Sequence, residues 1–170
     1  HQDPATLLLV VGEASAWLEL HGVKVAVQFD SAAMQHRRKG GHNEMLGRAV
    51  GLKVDRKPLI WDATGGLGRD AFVLADLGCE VTLCERVPVL AWLLEQAVQA
   101  AAVSGVDQVR AAAERMVVQA GDSKMLRAPA ETVIYLDPMF PERKKAAAVK
   151  KEAAMLQHLA DQADDSESLW

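Results

Sequence analysis

Apolar and polar positions change period twice along this chain. "VKVAVQF" at 23–29 alternates apolar and polar residues, the pattern of a half-buried strand. Together with "ATLLLVV" and "AWLEL", and with "GEAS" and "HG" as turns, it predicts a small antiparallel β meander over residues 1–30. Residues 31–57 form a basic connecting segment in which Met45, Leu46, Ala49 and Val50 recur at helical spacing. From residue 58 the pattern becomes strand, helix, strand. "PLIWDA" is a near-continuous apolar run, as in a parallel strand covered on both faces. "GRDAFVLADLG" predicts a helix closed by a left-handed cap at Gly78, and "CEVTLCE" is the next strand. Pro88 suits a first helical turn, and Leu90, Leu93, Leu94, Ala97 and Val98 make the stripe of a helix reaching Ala102. "MVVQAGD" and "TVIYLD" are two further strands, and 142–160 reads as a helix with Val149, Ala153, Leu156 and Leu159 inward.

Alternating β and α predicts an α/β fold with a parallel sheet and right-handed crossovers over residues 58–170. Only four strands of that sheet are visible, and the last helix leads to none. The expectation is a doubly wound domain whose C-terminal strands are missing from this chain.

Composition narrows the classes. With 170 residues, half of them hydrophobic and a quarter charged, the chain is one domain's worth with a packed core. No run approaches the roughly 20 apolar residues of a membrane span, and "LLLVV" lacks the flanks of a signal peptide. Cys79 and Cys84 are separated by an odd number of strand positions, so they point to opposite faces and no mutual disulfide is expected. The five histidines are scattered, so no structural metal is expected, and both features fit a reducing cytoplasm.

Net charge is −4, against nucleic-acid binding by itself, but the distribution changes that picture. Residues 31–60 hold Arg37, Arg38, Lys39, Arg48, Lys53, Arg56 and Lys57 against Glu44 and Asp55, and "ERKKAAAVKK" at 142–151 holds five cations and one anion. Local basic faces on a mildly acidic protein attract phosphate.

Gly65, Gly66 and Gly68 lie between a strand and a helix, where glycine permits a tight turn and the helix presents free N–H donors. Glu85 ends the following strand, where a carboxylate can accept both hydroxyl hydrogens of a ribose. Gly66 to Ala71 matches the G-x-G-x-x-A dinucleotide fingerprint, with an acid ~20 residues on, so a nicotinamide dinucleotide and an oxidoreductase must be weighed. Asp62, just ahead of the glycines, favours S-adenosylmethionine (SAM) instead, because an anion there repels a pyrophosphate and suits a sulfonium and an ammonium. Asp122 follows the third sheet strand, where a carboxylate could accept adenine amino hydrogens.

"VIYLDPMFPERKK" then ends a strand in Asp137-Pro138-Met139-Phe140, which resembles the (D/N/S)-P-P-(Y/F) motif of SAM-dependent amino methyltransferases. An exocyclic amine is a poor nucleophile because its lone pair is delocalised into the ring. Asp137 and the Pro138 carbonyl can accept its two N–H bonds, while Phe140 offers a stacking face for a base removed from its helix. Catalysis is then mostly alignment. Met139 stands where that motif has its second proline.

"FDSAAMQHRRKGG", "DATGGLGRDAFVLADLGCEVTLCER" and "YLDPMFPERKKAAAVKKE" together resemble the ribosomal RNA small subunit methyltransferase J family, over roughly residues 27–160. The resemblance implies a Rossmann-like class I SAM-dependent methyltransferase fold and methyl transfer to N2 of a guanosine in bacterial 16S rRNA, the partner being that RNA or the small subunit. Carried onto this chain, it makes Asp62, Ala63, Thr64, Gly65, Gly66, Gly68, Arg69, Asp70, Glu85, Arg86, Asp122, Ser123 and Asp137 the cofactor residues. Asp137, Pro138 and Phe140 are then catalytic, and Arg37, Arg38, Lys39, Lys144 and Lys145 meet RNA. Two departures stand out. The family's glycine-rich run is shortened to Gly40-Gly41-His42-Asn43, and the family continues with strands beyond residue 170. Another amine, adenine N6 or a protein glutamine, remains an alternative substrate, and a binding module without turnover a further one.

Overall fold

The computed structural model describes residues 6–13, 15–39, 41–137 and 147–167. The chain divides into two compact units, one running from Val27 to Asp137 and the other gathering the described parts of 1–26 and 138–170.

In the smaller unit, β1 (Leu8–Val11), β2 (Ala16–Leu20) and β3 (Val23–Val25) form the expected antiparallel sheet in the order β1-β2-β3. The "HG" turn places His21 and Gly22 at φ 49° and 73°, the paired left-handed residues whose twist matches that of the flanking strands.

The larger unit begins with Phe29 and two helices, α1 (Ala32–Lys39) and α2 (His42–Ala49). Phe29, Met34, Leu46 and Val50 are buried in the same core as the sheet. The basic segment 31–57 therefore contributes to that core instead of merely connecting two parts. Next come β4 (Leu59–Asp62), α3 (Arg69–Asp76), β5 (Glu80–Glu85), α4 (Pro88–Ala102), α5 (Asp107–Ala113), β6 (Met116–Ala120) and β7 (Val133–Tyr135). All four strands are parallel, in the order β6-β5-β4-β7. The chain steps outward from β4 through β5 to β6, then returns to the far side of β4 for β7. That reversal between β4 and β7 is where open α/β sheets bind ligands, outside the strands' carboxyl ends.

Ile60, Val81, Leu83 and Met116 point from one sheet face into a core shared with α3, α4 and α5. α3 is buried through five successive residues, Ala71 to Ala75, so it is apolar all round rather than striped. Its end is the expected one: Gly78 has φ 96°, its N–H donates to the Ala75 carbonyl, and Lys57 Nζ donates to the Leu77 carbonyl at 2.8 Å. Cys79 and Cys84 are buried and unbridged.

Three local readings change. α5 has no counterpart in the periodic pattern. The final helix, α6 (Ala147–Glu167), extends past 160, and residues 142–146 lie outside the described residues. α6 packs on β3 and buries Met155, Leu156 and Leu159, whereas Ala153 faces out. Among the described residues no helix is long and apolar enough to cross a membrane.

Candidate cofactor and catalytic site

The site is built where β4 and β7 end side by side. Asp62 pairs with Tyr135 in the parallel ladder, and the Ala63 N–H extends it by donating to the Tyr135 carbonyl at 3.0 Å. The glycine loop then crosses toward β5: Gly65 N–H donates to the Cys84 carbonyl at 2.9 Å. A Cβ on Gly65 would sit 2.9 Å from that same oxygen, so only glycine permits this approach. Gly68 precedes α3 at φ 65°, and a Cβ there would meet Leu94 at 2.8 Å.

Asp62 is almost fully buried, and burial pushes its carboxyl up to about 6. The Thr64 N–H and hydroxyl, donating to Asp62 Oδ1 at 3.0 and 3.3 Å, oppose that rise, while Asp70 and Asp137 add to it. Glu85 is buried too, and burial raises its carboxyl while surrounding donors hold it down. Its Oε2 accepts the Gly66 N–H at 2.8 Å and its Oε1 the Val87 N–H at 2.7 Å. The Arg86 N–H also reaches this carboxylate, so three backbone donors orient it, and a carboxylate with about four acceptor positions retains room for a hydroxyl hydrogen.

Asp137, two residues beyond β7, donates its N–H to Thr64 Oγ1 at 2.8 Å. The carboxylates of Asp62, Asp70 and Asp137 thus lie close together, each raising its neighbours or the Tyr135 phenol. Such a cluster repels a pyrophosphate and attracts a cation. It favours a sulfonium cofactor over a dinucleotide.

Other expected site residues take different places. Asp122 Oδ1 accepts the Lys124 N–H at 2.9 Å and so closes its own turn, with Ser123 inside it. Arg69 and Arg86 are exposed, and the Arg86 charge helps to hold the Glu85 carboxyl down. Arg37 is ion-paired with Asp70, whose other oxygen accepts the Tyr135 hydroxyl at 2.8 Å. Arg38 grips both oxygens of Asp76 at 2.9 and 2.6 Å, lies over the Phe72 ring and is 8% exposed. The guanidinium that the resemblance assigns to RNA here holds α1 to α3. Lys39 is exposed, and Pro138, Phe140, Lys144 and Lys145 lie outside the described residues. No group of three or more His, Cys, Asp or Glu arranged to hold a metal occurs among the described residues.

Sequence reading missed Tyr135 and the bridging role of Thr64. Tyr135 carried one available signal: in an extended strand it shares a face with Asp137 two positions on.

Comparison with known proteins converges on one group. The family model of SAM-dependent methyltransferases matches residues 1–170. The chain is 46% identical to ribosomal RNA small subunit methyltransferase J of Stutzerimonas stutzeri, covering 87% of this chain and 60% of that protein. It is also 46% identical to the protein of that name in Pseudomonas aeruginosa, covering 98% and 67%. A crystal structure of a SAM-dependent methyltransferase from Neisseria gonorrhoeae superposes with a TM-score of 0.67 at 35% identity, over 82% of this chain and 60% of that one. The chain spans about 60% of the length of the curated relatives it matches.

Proposed function

This chain belongs to the ribosomal RNA small subunit methyltransferase J family of SAM-dependent methyltransferases, and from that premise we propose that it transfers a methyl group from SAM to the exocyclic N2 of a guanosine in bacterial 16S rRNA. The single observation that carries the reading is the Asp137 N–H on the Thr64 hydroxyl, which sets the acid after β7 beside the acid after β4. SAM supplies a methyl carbon activated by its sulfonium. Asp62 faces the positive charge of the cofactor, Glu85 accepts its ribose hydroxyls, and Asp122 offers a free carboxylate oxygen to its adenine amine. Asp137 and the Pro138 carbonyl accept the N–H bonds of the target amine and aim its lone pair, and Phe140 stacks on the extruded base. As the nitrogen forms its bond to carbon and the carbon–sulfur bond breaks, the nitrogen sheds a proton, for which Asp137 or water is the acceptor. The setting is the cytoplasm, and the partner is naked 16S rRNA or the small subunit.

The test is incubation of the chain with labelled SAM and unmodified 16S rRNA or small subunits, followed by mass spectrometry of nucleosides and digested protein. N2-methylguanosine is expected. Asp137→Ala should abolish it while SAM affinity stays within about tenfold, or ~1.4 kcal/mol. Label on adenine N6 or on glutamine would replace the substrate assignment. Full activity in Asp137→Ala would remove that residue from the reaction.

A further inference from the structure

We infer that Thr64 is a positioning residue, whose hydroxyl ties the base-binding aspartate to the cofactor-facing aspartate through one oxygen atom. This rests on the methyl-transfer reading above and concerns a residue that the family resemblance makes only a cofactor contact. A threonine hydroxyl has one proton to donate and two lone pairs to accept with. Here the proton goes to Asp62 Oδ1, 3.3 Å away, and a lone pair takes the Asp137 N–H at 2.8 Å. The Thr64 N–H donates to the same Asp62 oxygen at 3.0 Å, which fixes the rotor between the two partners.

The arrangement matters because of where Asp137 sits. Among the described residues, β7 pairs with β4. Its ladder ends with Ala63 N–H on the Tyr135 carbonyl, two residues short of Asp137. Asp137 lies beyond that ladder and is exposed, and its N–H is held by the Thr64 hydroxyl. An ionised Asp62 takes the Thr64 proton and turns the hydroxyl lone pairs toward Asp137. A protonated Asp62 no longer needs that proton and can donate its own. The Asp137 N–H donates to the Thr64 oxygen in either state, so charge at the cofactor end sets how firmly the hydroxyl is held and not the direction of the Asp137 bond. The ionisable groups facing Asp62 are Asp70 from α3, Tyr135 and Asp137 from β7 and its tip, and Cys84 from β5, whose thiol is pushed up to about 11 by burial first and by Asp62 second. Asp70 is in turn neutralised by Arg37.

Thr64→Val keeps the shape and removes the bridge, and Thr64→Ser restores the hydroxyl. In the full chain, Thr64→Val should shift the ¹⁵N–¹H resonance of Asp137 and speed its amide exchange, with Thr64→Ser close to the parent. SAM affinity measured by calorimetry at pH 8 should stay within about threefold, which is ~0.7 kcal/mol. The midpoint of its pH dependence should move up in Thr64→Val, because the hydroxyl that holds the Asp62 carboxyl down is gone. With rRNA substrate, kcat should fall roughly 10- to 100-fold with little change in KM for SAM, as expected for a displaced reacting group, and Thr64→Ser should recover it. An unmoved Asp137 resonance in Thr64→Val, or a folded Thr64→Ser that stays as slow as Thr64→Val, overturns the role. Thr64→Ala repeats the comparison if valine does not fit the loop. Should the parent chain transfer no methyl, the functional proposal fails, and the resonance and pH readouts still decide the role of Thr64.

Discussion

A carboxylate that faces a cation under the proposed function is built here at a cost to the fold. Burial, with Asp70 and Asp137 nearby, lifts Asp62 from 3.8 to about 6. A raised carboxyl stabilises the folded state below its ordinary value, and that contribution is lost as pH rises through about 6. At neutral pH the ionised side chain then costs on the order of 3 kcal/mol. Asp62→Asn keeps an acceptor for the Thr64 N–H and removes the charge. It should raise the melting temperature of the cofactor-free protein by about 5 °C at pH 7.5 and by about half as much at pH 5, midway between the ordinary and the raised value. SAM binding should show the opposite sign. In the parent chain its affinity should fall as pH drops below 6, by up to about tenfold per unit, because SAM requires the ionised form. Asp62→Asn should bind weakly at every pH. Calorimetric titration and thermal melts over pH 5–8.5 check both, and a parent affinity independent of pH would take Asp62 out of cofactor recognition.

At the scale of elements, α1 is held to α3 by charge as much as by packing. Arg38 spans both oxygens of Asp76 from a site with 8% exposure, and removing one partner strands the other. Arg38→Ala should cost on the order of 3 kcal/mol in chemical denaturation, and Arg38→Ala with Asp76→Ala should cost less than the two singles summed. Additive losses would mean the pair is not coupled. This clasp shows where sequence reading stopped. Arg38 and Asp76 lie 38 positions apart, and each alone looks like a solvated charge. The β4–α3–β5 unit, by contrast, was legible because its apolar runs, Gly78 cap and Pro88 start are local chemistry that agrees with the tertiary answer. α5 was not: at seven residues, Val109, Ala112 and Ala113 repeat the helical spacing only once. In α6 the inward face was misassigned at Ala153, because a run of alanines marks no side and the larger Met155 and Leu156 take the buried positions. The site divides the same way. Asp62 and Glu85 stand at strand ends and Asp137 just past one, as the sequence pattern placed them, whereas the contacts of Thr64 and Tyr135 are hydrogen bonds that cross from one segment to another.

For the whole molecule, the question raised by the proposed function is how a chain of net charge −4 would hold an RNA. Long-range attraction is unavailable, since the summed charge is negative and salt screens any charge beyond a Debye length of about 8 Å at physiological ionic strength. Affinity must come from cations at contact distance, and the structure reduces the number on offer. Arg37 and Arg38 are engaged by Asp70 and Asp76, Arg48 pairs with Glu44 at 3.4 Å, and Lys57 caps α3. Of the five cations that the family resemblance assigns to RNA, Lys39 is exposed, and with Lys144 and Lys145 it is the part left to meet the backbone under the proposed function. Each cation that displaces a counterion from single-stranded RNA contributes about 0.7 to the slope of log affinity against log salt. Replacing Lys39, Lys144 and Lys145 by alanine should therefore flatten that slope by roughly 2 and weaken binding at low salt far more than at high salt. Arg38→Ala should leave the slope unchanged while lowering the melting temperature. Fluorescence titrations of labelled 16S rRNA fragments from 50 to 300 mM salt separate the two classes of arginine and lysine. A slope that flattens with Arg38→Ala and not with the lysine set would return the arginine to the RNA and leave its grip on Asp76 incidental.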